Sequence, residues 1–261
     1  MIPLLLTATV NPRGMEGAAF SIEERVLQYV GALTYYLQAL PDVSIVFAEN
    51  SDSLSAVRRH IPNEKRIEWL DASILCDGKA YDQTRGKGYN EVLLLEHAVR
   101  HSDLIRQSGC FFKLTGRLKV LNLSRLLTEC QGQTFRADCK DHRVYEWLRM
   151  PINGHAGECR YWYATTEFFL TQIAPYYDQL CDYGPKTYLA EDLMLQVCRR
   201  ARTMPHCHDR FKTQARISGH GGHKLGQGPS FFYSTDNDSL PLRIKCALRQ
   251  MLRWSMPWWR C

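Results

Sequence analysis

Two periodicities alternate along the first half of the chain. Short apolar runs that end in polar or turn residues predict buried strands, and segments with apolar residues every three or four positions predict helices. Ile2 to Val10 reads as a first buried strand that ends in the hydroxyls of Thr7 and Thr9. Ser21-Ile22-Glu23-Glu24 is a capping-box pattern, and it opens a helix through Val26, Tyr29, Leu33, Tyr36 and Leu40 that Pro41 ends. Val43 to Ser51 is a second strand with Glu49 and Asn50 at its exit, Ser53 to His60 a short helix, and Arg66 to Leu70 a third strand. Strand and helix in alternation predict an α/β fold: a mostly parallel central sheet with helices on both faces.

Tyr81 to Asn122 carries the densest candidate chemistry. Thr84-Arg85-Gly86-Lys87-Gly88-Tyr89-Asn90-Glu91 sets two glycines beside two cations. Glycine lets a ligand approach the backbone closely, and the helix that follows would turn its positive dipole end toward an anion such as a diphosphate. That helix is expected to run to Ser108-Gly109. Cys110-Phe111-Phe112 then reads as a buried strand running into Lys113-Leu114-Thr115-Gly116-Arg117. Alternation places Lys113, Thr115 and Arg117 on one face, at the strand end where open α/β sheets bind ligands. The competing reading is a solvated turn and a strand edge with its charges in water. Neither a Walker loop nor a dinucleotide G-x-G-x-x-G is present.

Later segments are less regular. Leu123 to Gln131 reads as a helix, Thr134 to Asp138 and Cys159 to Ala164 as strands, and Thr166 to Ile173 as a helix. A further helix begins at Tyr188, with Glu191 and Asp192 in its first turn, where helix capping alone would account for them. Gly219 to Gly226 reads as a glycine-rich loop carrying His220, His223 and Lys224, able to fold over a ligand. Asp236-Asn237-Asp238 has a metal-binding spacing but reads as a turn. Leu240 to Trp254 has apolar residues at helical spacing among cations and leads to Trp258-Trp259-Arg260, a composition suited to a membrane interface. Docking on the core with the basic face in water is the alternative.

Composition narrows these readings. The chain has 261 residues, 45% hydrophobic and 23% charged, enough for one large core. Its formal net charge of +6 suits an anionic partner or membrane surface more than a heavily basic nucleic-acid binder. Much of the excess lies in Arg199-Arg200-Ala201-Arg202 and in the tail from Arg243. The 10 cysteines include no C-x-x-C pair, and no signal-peptide pattern opens the chain, so a reducing cytoplasm is expected. Cys198 with His206-Cys207-His208, and Cys139 with His142, lack a zinc-finger spacing.

With these residues in hand, the chain resembles bacterial glycosyltransferases of surface-polysaccharide and lipopolysaccharide gene clusters, which have the single-domain nucleotide-diphosphosugar fold called GT-A. The resemblance is carried by Leu6-Thr7-Ala8-Thr9, Phe47-Ala48-Glu49-Asn50-Ser51, Gly86-Lys87-Gly88-Tyr89-Asn90-Glu91, Phe112-Lys113-Leu114-Thr115-Gly116-Arg117 and Ala190-Glu191-Asp192. It implies that Thr7, Thr9, Glu49 and Asn50 lie near the nucleoside, that Arg85, Lys87 and Gly88 approach the diphosphate, and that Lys113, Thr115, Arg117 and His220 complete the donor site. It also implies that Glu191 or Asp192, with Asp192 preferred, is the general base that deprotonates an acceptor hydroxyl. The Asp-x-Asp metal motif of many such enzymes is missing after the central strand. Lys113 and Arg117 would then neutralise the leaving diphosphate without a metal. The expectation is therefore no required cofactor, with manganese or magnesium as the alternative.

Together these readings give a transferase domain over residues 1–239 and a basic aromatic tail over 240–261. The expected activity is transfer of a sugar from a nucleotide-activated donor to a glycan or lipid-linked acceptor, at the inner face of the cytoplasmic membrane, with no nucleic-acid partner. A nucleic-acid-binding protein and an inactive transferase-like scaffold are the rival readings.

Overall fold

The computed structural model of the chain describes residues 1–14, 18–77, 82–150, 153–224, 230–233 and 240–256. Its first half follows the expected alternation: β1 (Leu4–Ala8), α1 (Ile22–Ala39), β2 (Ile45–Glu49), α2 (Leu54–Arg58), β3 (Ile67–Asp71), α3 (Ile74–Asp77), α4 (Lys87–His101), α5 (Asp103–Ser108) and β4 (Cys110–Thr115). Next come β5 (Lys119–Val120), α6 (Leu123–Cys130), β6 (Phe135–Arg136), β7 (Cys139–Asp141), α7 (Val144–Trp147), β8 (His155–Gly157), β9 (Tyr161–Thr165) and α8 (Thr166–Gln172). The chain continues through α9 (Ala190–Ala201), β10 (Cys207–His208), β11 (Ile217–Lys224), β12 (Ser230–Tyr233) and α10 (Leu240–Ser255).

Seven strands form the central sheet in the order β10-β6-β9-β4-β1-β2-β3. β1 pairs parallel with β2 and β4, β2 with β3, and β6 with β10, whereas β9 runs antiparallel to β4 and β6. The sheet is therefore mostly parallel. Strand order reverses at β1: β2 and β3 are added on one side, and β4 then returns to the other. Such a reversal leaves a crevice beyond the carboxyl ends of the two strands, here β1 and β4.

Side-chain alternation divides the core into two layers. Leu4, Leu6, Phe47 and Phe112 pack with Val26, Tyr29, Leu33 and Tyr36 of α1 on one face. Leu5, Val46, Phe111 and Trp162 pack with Val92, Leu95 and Val99 of α4 on the other. The α1 capping box is present, with Ser21 Oγ accepting the Glu24 N–H at 3.2 Å and Glu24 accepting the Ser21 N–H at 2.8 Å.

Two segments differ from the sequence reading, and a third, α10, meets the core. The helix expected to reach Ser108 is interrupted at Ser102, whose hydroxyl caps Ile105 at 3.1 Å. Glu68 of β3 accepts the N–H groups of Asp103 and Leu104 and the Ser102 hydroxyl, so the groups freed by the break are satisfied. Much of the glycine-rich segment is strand: β11 pairs antiparallel with β5 and β12, and Gly219, at φ 124°, permits its close approach to Leu118. Residues 225 and 226 of that loop, and the Asp236-Asn237-Asp238 turn, lie outside the described residues. Finally, α10 is fastened to the core near its C-terminal end, where Arg253 donates to both Asp138 oxygens at 2.9 and 3.1 Å.

Candidate active site

Thr7 and Thr115 are register partners at the ends of β1 and β4, so their side chains flank the switch-point crevice. One turn into α4, Glu91 reaches the same place. Its Oε1 accepts the Thr7 hydroxyl at 2.8 Å and lies 2.8 Å from Lys113 Nζ. Lys113 is 1% exposed, and it also donates to Thr115 Oγ1 at 3.3 Å and to the carbonyl of Cys159. Burial works to raise the Glu91 carboxyl, but the Lys113 ammonium, the Thr7 hydroxyl and the charge of Lys87 together hold it below the ordinary glutamate range. The site thus contains an ionised carboxylate whose buried ammonium partner also ties β4 to the start of β9.

Gly116 makes this arrangement possible. Its N–H donates to the Thr7 carbonyl at 3.0 Å, and a Cβ there would lie 2.6 Å from that oxygen. Arg117 follows, donating to the His220 carbonyl at 3.2 Å, and the His220 ring packs edge-on against Phe20 at 5.4 Å. Arg117 and His220 are therefore neighbours, joined through β11.

At the β2 end, Glu49 is fully buried and organises the loops around it. It accepts the N–H groups of Val10 at 3.0 Å, Ser51 at 2.9 Å and Ser53 at 2.9 Å, together with the Ser51 hydroxyl. Asn50 is 1% exposed and is held through its Oδ1 by the Thr9 hydroxyl at 2.8 Å. That bond leaves the Asn50 Nδ2 buried without a hydrogen-bond partner, a deficit on the order of 1–3 kcal/mol for a buried donor. Thr9 is itself fixed by α1, with its carbonyl accepting from Arg25 and its N–H donating to the Tyr29 hydroxyl at 3.1 Å.

The α4 N-terminus, read from sequence as an anion site, already holds a carboxylate of the chain. Asp182 Oδ2 accepts the N–H of Lys87 at 2.8 Å and that of Gly88 at 3.3 Å. Gly86, at φ 91°, and Gly88 are needed for this approach: a Cβ on Gly86 would lie 2.4 Å from the Asp182 Cβ. Arg85 turns away from the crevice, donating to the carbonyls of Asp178 and Leu180 and lying 4.2 Å over the Tyr89 ring. Asn90 Nδ2 holds the loop from inside by donating to the carbonyls of Asp82 and Gly86. Lys87 is exposed at the first turn of α4.

A Cβ on Gly88 would lie 3.3 Å from that of Ala190, so the N-terminal ends of α4 and α9 meet. There Asp192 turns back and accepts the Leu189 N–H at 2.9 Å, capping its own helix. Glu191 is half-buried in the same turn. Burial pushes the Cys159 thiol up first, the Glu191 carboxylate adds to the effect, Lys113 opposes it, and Glu158 and Glu91 add further. Of the sequence candidates, Thr7, Lys113 and Thr115 gather around Glu91; Thr9, Glu49 and Asn50 form an adjoining group; Arg85 and Asp192 are engaged in fastening the backbone; Glu191 lies in the first turn of α9.

Sequence reasoning did not single out Glu91, Asp182 or Cys159 as site residues. Glu91 stood inside a motif already under scrutiny, and its place four residues after Lys87 on the helix was a usable signal. Asp182 contacts a residue 95 positions away, and no local pattern marks it. The residues at the end of β4 are two cations and a hydroxyl, a poor set for a divalent ion, which prefers carboxylate and carbonyl oxygens. Among the described residues no group of three His, Cys, Asp or Glu is placed to hold a metal. No helix of the described residues is long and apolar enough to cross a membrane.

No family model matches the sequence, and no curated protein is similar to it in sequence. Among solved structures, the chain is similar to the WbbM bifunctional glycosyltransferase at 10% identity and a TM-score of 0.45, over 75% of this chain but 37% of that longer one. It is also similar to the galactosyltransferase LgtC, crystallised with donor and acceptor sugar analogues, at 12% identity and a TM-score of 0.45, over 74% of this chain and 69% of that one.

Proposed function

We propose that the chain is a glycosyltransferase that binds a nucleotide-activated sugar in the crevice between β1 and β4 and passes the sugar to a glycan or lipid-linked acceptor in surface-polysaccharide synthesis. The observation that carries this reading is the convergence of Thr7, Glu91, Lys113 and Thr115 at the reversal of strand order between β1 and β4. In this reading the nucleoside lies over the adjoining group of Thr9, Glu49 and Asn50. The sugar diphosphate extends along the crevice toward the exposed Lys87 side chain, since Asp182 already fills the α4 N-terminus. Lys87, Arg117 and His220 border that path.

Glu191 takes the base role in place of the Asp192 preferred from sequence, because Asp192 is committed to the Leu189 N–H. It removes the proton of the acceptor hydroxyl as that oxygen attacks the anomeric carbon, and the diphosphate leaves with the bonding pair. Lys113 is already neutralised by Glu91, so its part is to hold Glu91, Thr115 and the β9 approach in place more than to face the diphosphate as a free cation. No metal enters the scheme.

The membrane part of the reading rests on α10. Arg253 and Gln250 hold one side of the helix to the core, while Ile244, Leu248, Met251 and Trp254 are exposed at 51, 51, 55 and 72%. Residues 240–256 contain basic side chains and no acid. Such a face suits an anionic bilayer surface and would keep the enzyme beside a lipid-linked acceptor.

A thermal-shift screen against UDP, GDP, CMP and their sugar conjugates, with and without manganese, tests the donor site. A ligand at about 100 times its Kd adds about 2.7 kcal/mol of apparent stability. We expect one nucleotide class to raise Tm without manganese, and Asn50→Asp to weaken that response. A cooperative melt unmoved by every nucleotide, together with salt-dependent binding to oligonucleotides, would overturn the proposal.

A further inference from the structure

Outside the central sheet, β7 and β8 form an antiparallel hairpin that lies along α9. Its base is pressed onto the helix: a Cβ on Gly157 would lie 2.4 Å from the Met194 Cβ. Further out, Asp141 receives Arg199 at 2.6 Å, Arg202 at 2.8 Å and His155 Nδ1 at 2.9 Å. The other nitrogen of His155 reaches Glu146 of α7 at 3.1 Å. Arg199 and Arg202 thus fasten this hairpin to α9, and Arg202 also pairs with Asp209 at 2.6 Å.

This mount presents an apolar tip. Trp147 is 82% exposed, Leu148 52% and Met150 42%. Other large apolar side chains that reach solvent outside α10, such as Leu27 and Ile74, stand apart from one another along the chain. Three in four residues on a braced projection form a patch of the kind that marks an interaction surface. Cations outnumber acids around it: Arg143 and Arg149 are exposed, and the one acid of α7, Glu146, meets the His155 ring at 3.1 Å.

We infer that the 143–150 tip is a second lipid-contacting element, which seats Trp147 and Leu148 in the headgroup region of an anionic bilayer while Arg143 and Arg149 pair with lipid phosphates. Tryptophan at the boundary between apolar and wet phases, flanked by cations, is the side-chain chemistry of that interface. The inference extends the membrane part of the proposed function and is independent of its chemistry, so either can fail alone.

The test is co-sedimentation of the full chain with vesicles of phosphatidylcholine plus phosphatidylglycerol, compared with phosphatidylcholine alone. The parent protein should prefer the anionic vesicles. A Trp147→Ala/Leu148→Ser double variant should bind them at least tenfold more weakly, with an unchanged melt and an unchanged response to the nucleotide donor. In a second variant, Trp147→Phe, quenching of tryptophan fluorescence by brominated lipid should fall while binding persists. Parent-like binding by the double variant, undiminished quenching in the Phe variant, or no preference for anionic vesicles would overturn the inference. So would a double variant that changes oligomeric state while keeping its vesicle affinity, since the tip would then be a protein contact.

Discussion

Two ion pairs of the molecule differ in how completely their partners are satisfied. Asp138 and Arg253, with side chains 10 and 7% exposed, are joined by two parallel bonds. Asp138 also accepts the Tyr161 hydroxyl at 2.5 Å and the Phe211 N–H at 2.9 Å, and Arg253 also donates to the Phe211 carbonyl and the Gln214 side chain. This pair leaves little capacity for anything else and serves as the rivet of α10. Glu91 and Lys113 are joined by a single contact, and they are unequal: Lys113 is 1% exposed and Glu91 28%. A carboxylate that keeps access to the crevice while its cation is sealed below it can respond to a ligand. Geometry of this kind distinguishes a site from a fastening, although each pair has a buried cation and joins distant segments.

The strongest way to break the comparison is to remove one partner from the saturated pair. Asp138→Ala leaves Arg253 buried and uncompensated, and a loss of about 3–5 kcal/mol is expected in urea unfolding. Replacing both, Asp138→Leu with Arg253→Met, should recover much of it, since well-packed apolar substitutes of similar volume are often neutral or stabilising. Lys113→Met should cost less, about 1–3 kcal/mol, because Glu91 keeps the Thr7 hydroxyl and reaches solvent. Its effect on donor binding should exceed its effect on folding, whereas Asp138→Ala should show the opposite balance.

A smaller effect is expected from Asp182→Ala, which uncaps α4 at Lys87 and Gly88. The cost is about 0.5–2 kcal/mol, read from the same unfolding curves. Smallest of all is a pH effect. The folded Glu91 carboxyl titrates below its ordinary value of about 4.3. Its contribution is therefore fully present above that value and is lost as pH falls through the lower folded one. Lys113→Met should flatten this part of the stability profile, measured between pH 5 and the acid limit of cooperative melting.

Much of the first half was legible because its signals are local. The α1 capping box, the apolar runs of β1 to β4 and the small residues around Thr7 all lie within windows of a few residues. The order of the sheet was not, since β9 and β6 insert beyond β4 by pairings that no local pattern encodes. Arg85 shows the same limit within the site: two glycines and a cation look like a phosphate loop until Asp178 and Asp182, more than ninety positions on, are seen to occupy it. Arg199 and Arg202 counted toward the excess charge that suits an anionic partner, yet Asp141 and Asp209 take them up. In the segment around Gly219, glycine suggested a loop, whereas the partner strands β5 and β12 decide the conformation.

The most direct measurement is release of nucleoside diphosphate from the nucleotide sugar identified by thermal shift, comparing Glu191→Gln with Asp192→Asn. The account predicts that Glu191→Gln loses turnover by a factor on the order of 10²–10⁴ while still binding donor, and that Asp192→Asn keeps most of its turnover with a slightly lower melt. Full turnover in Glu191→Gln, or selective loss in Asp192→Asn, would contradict the placement of catalysis at the crevice between β1 and β4.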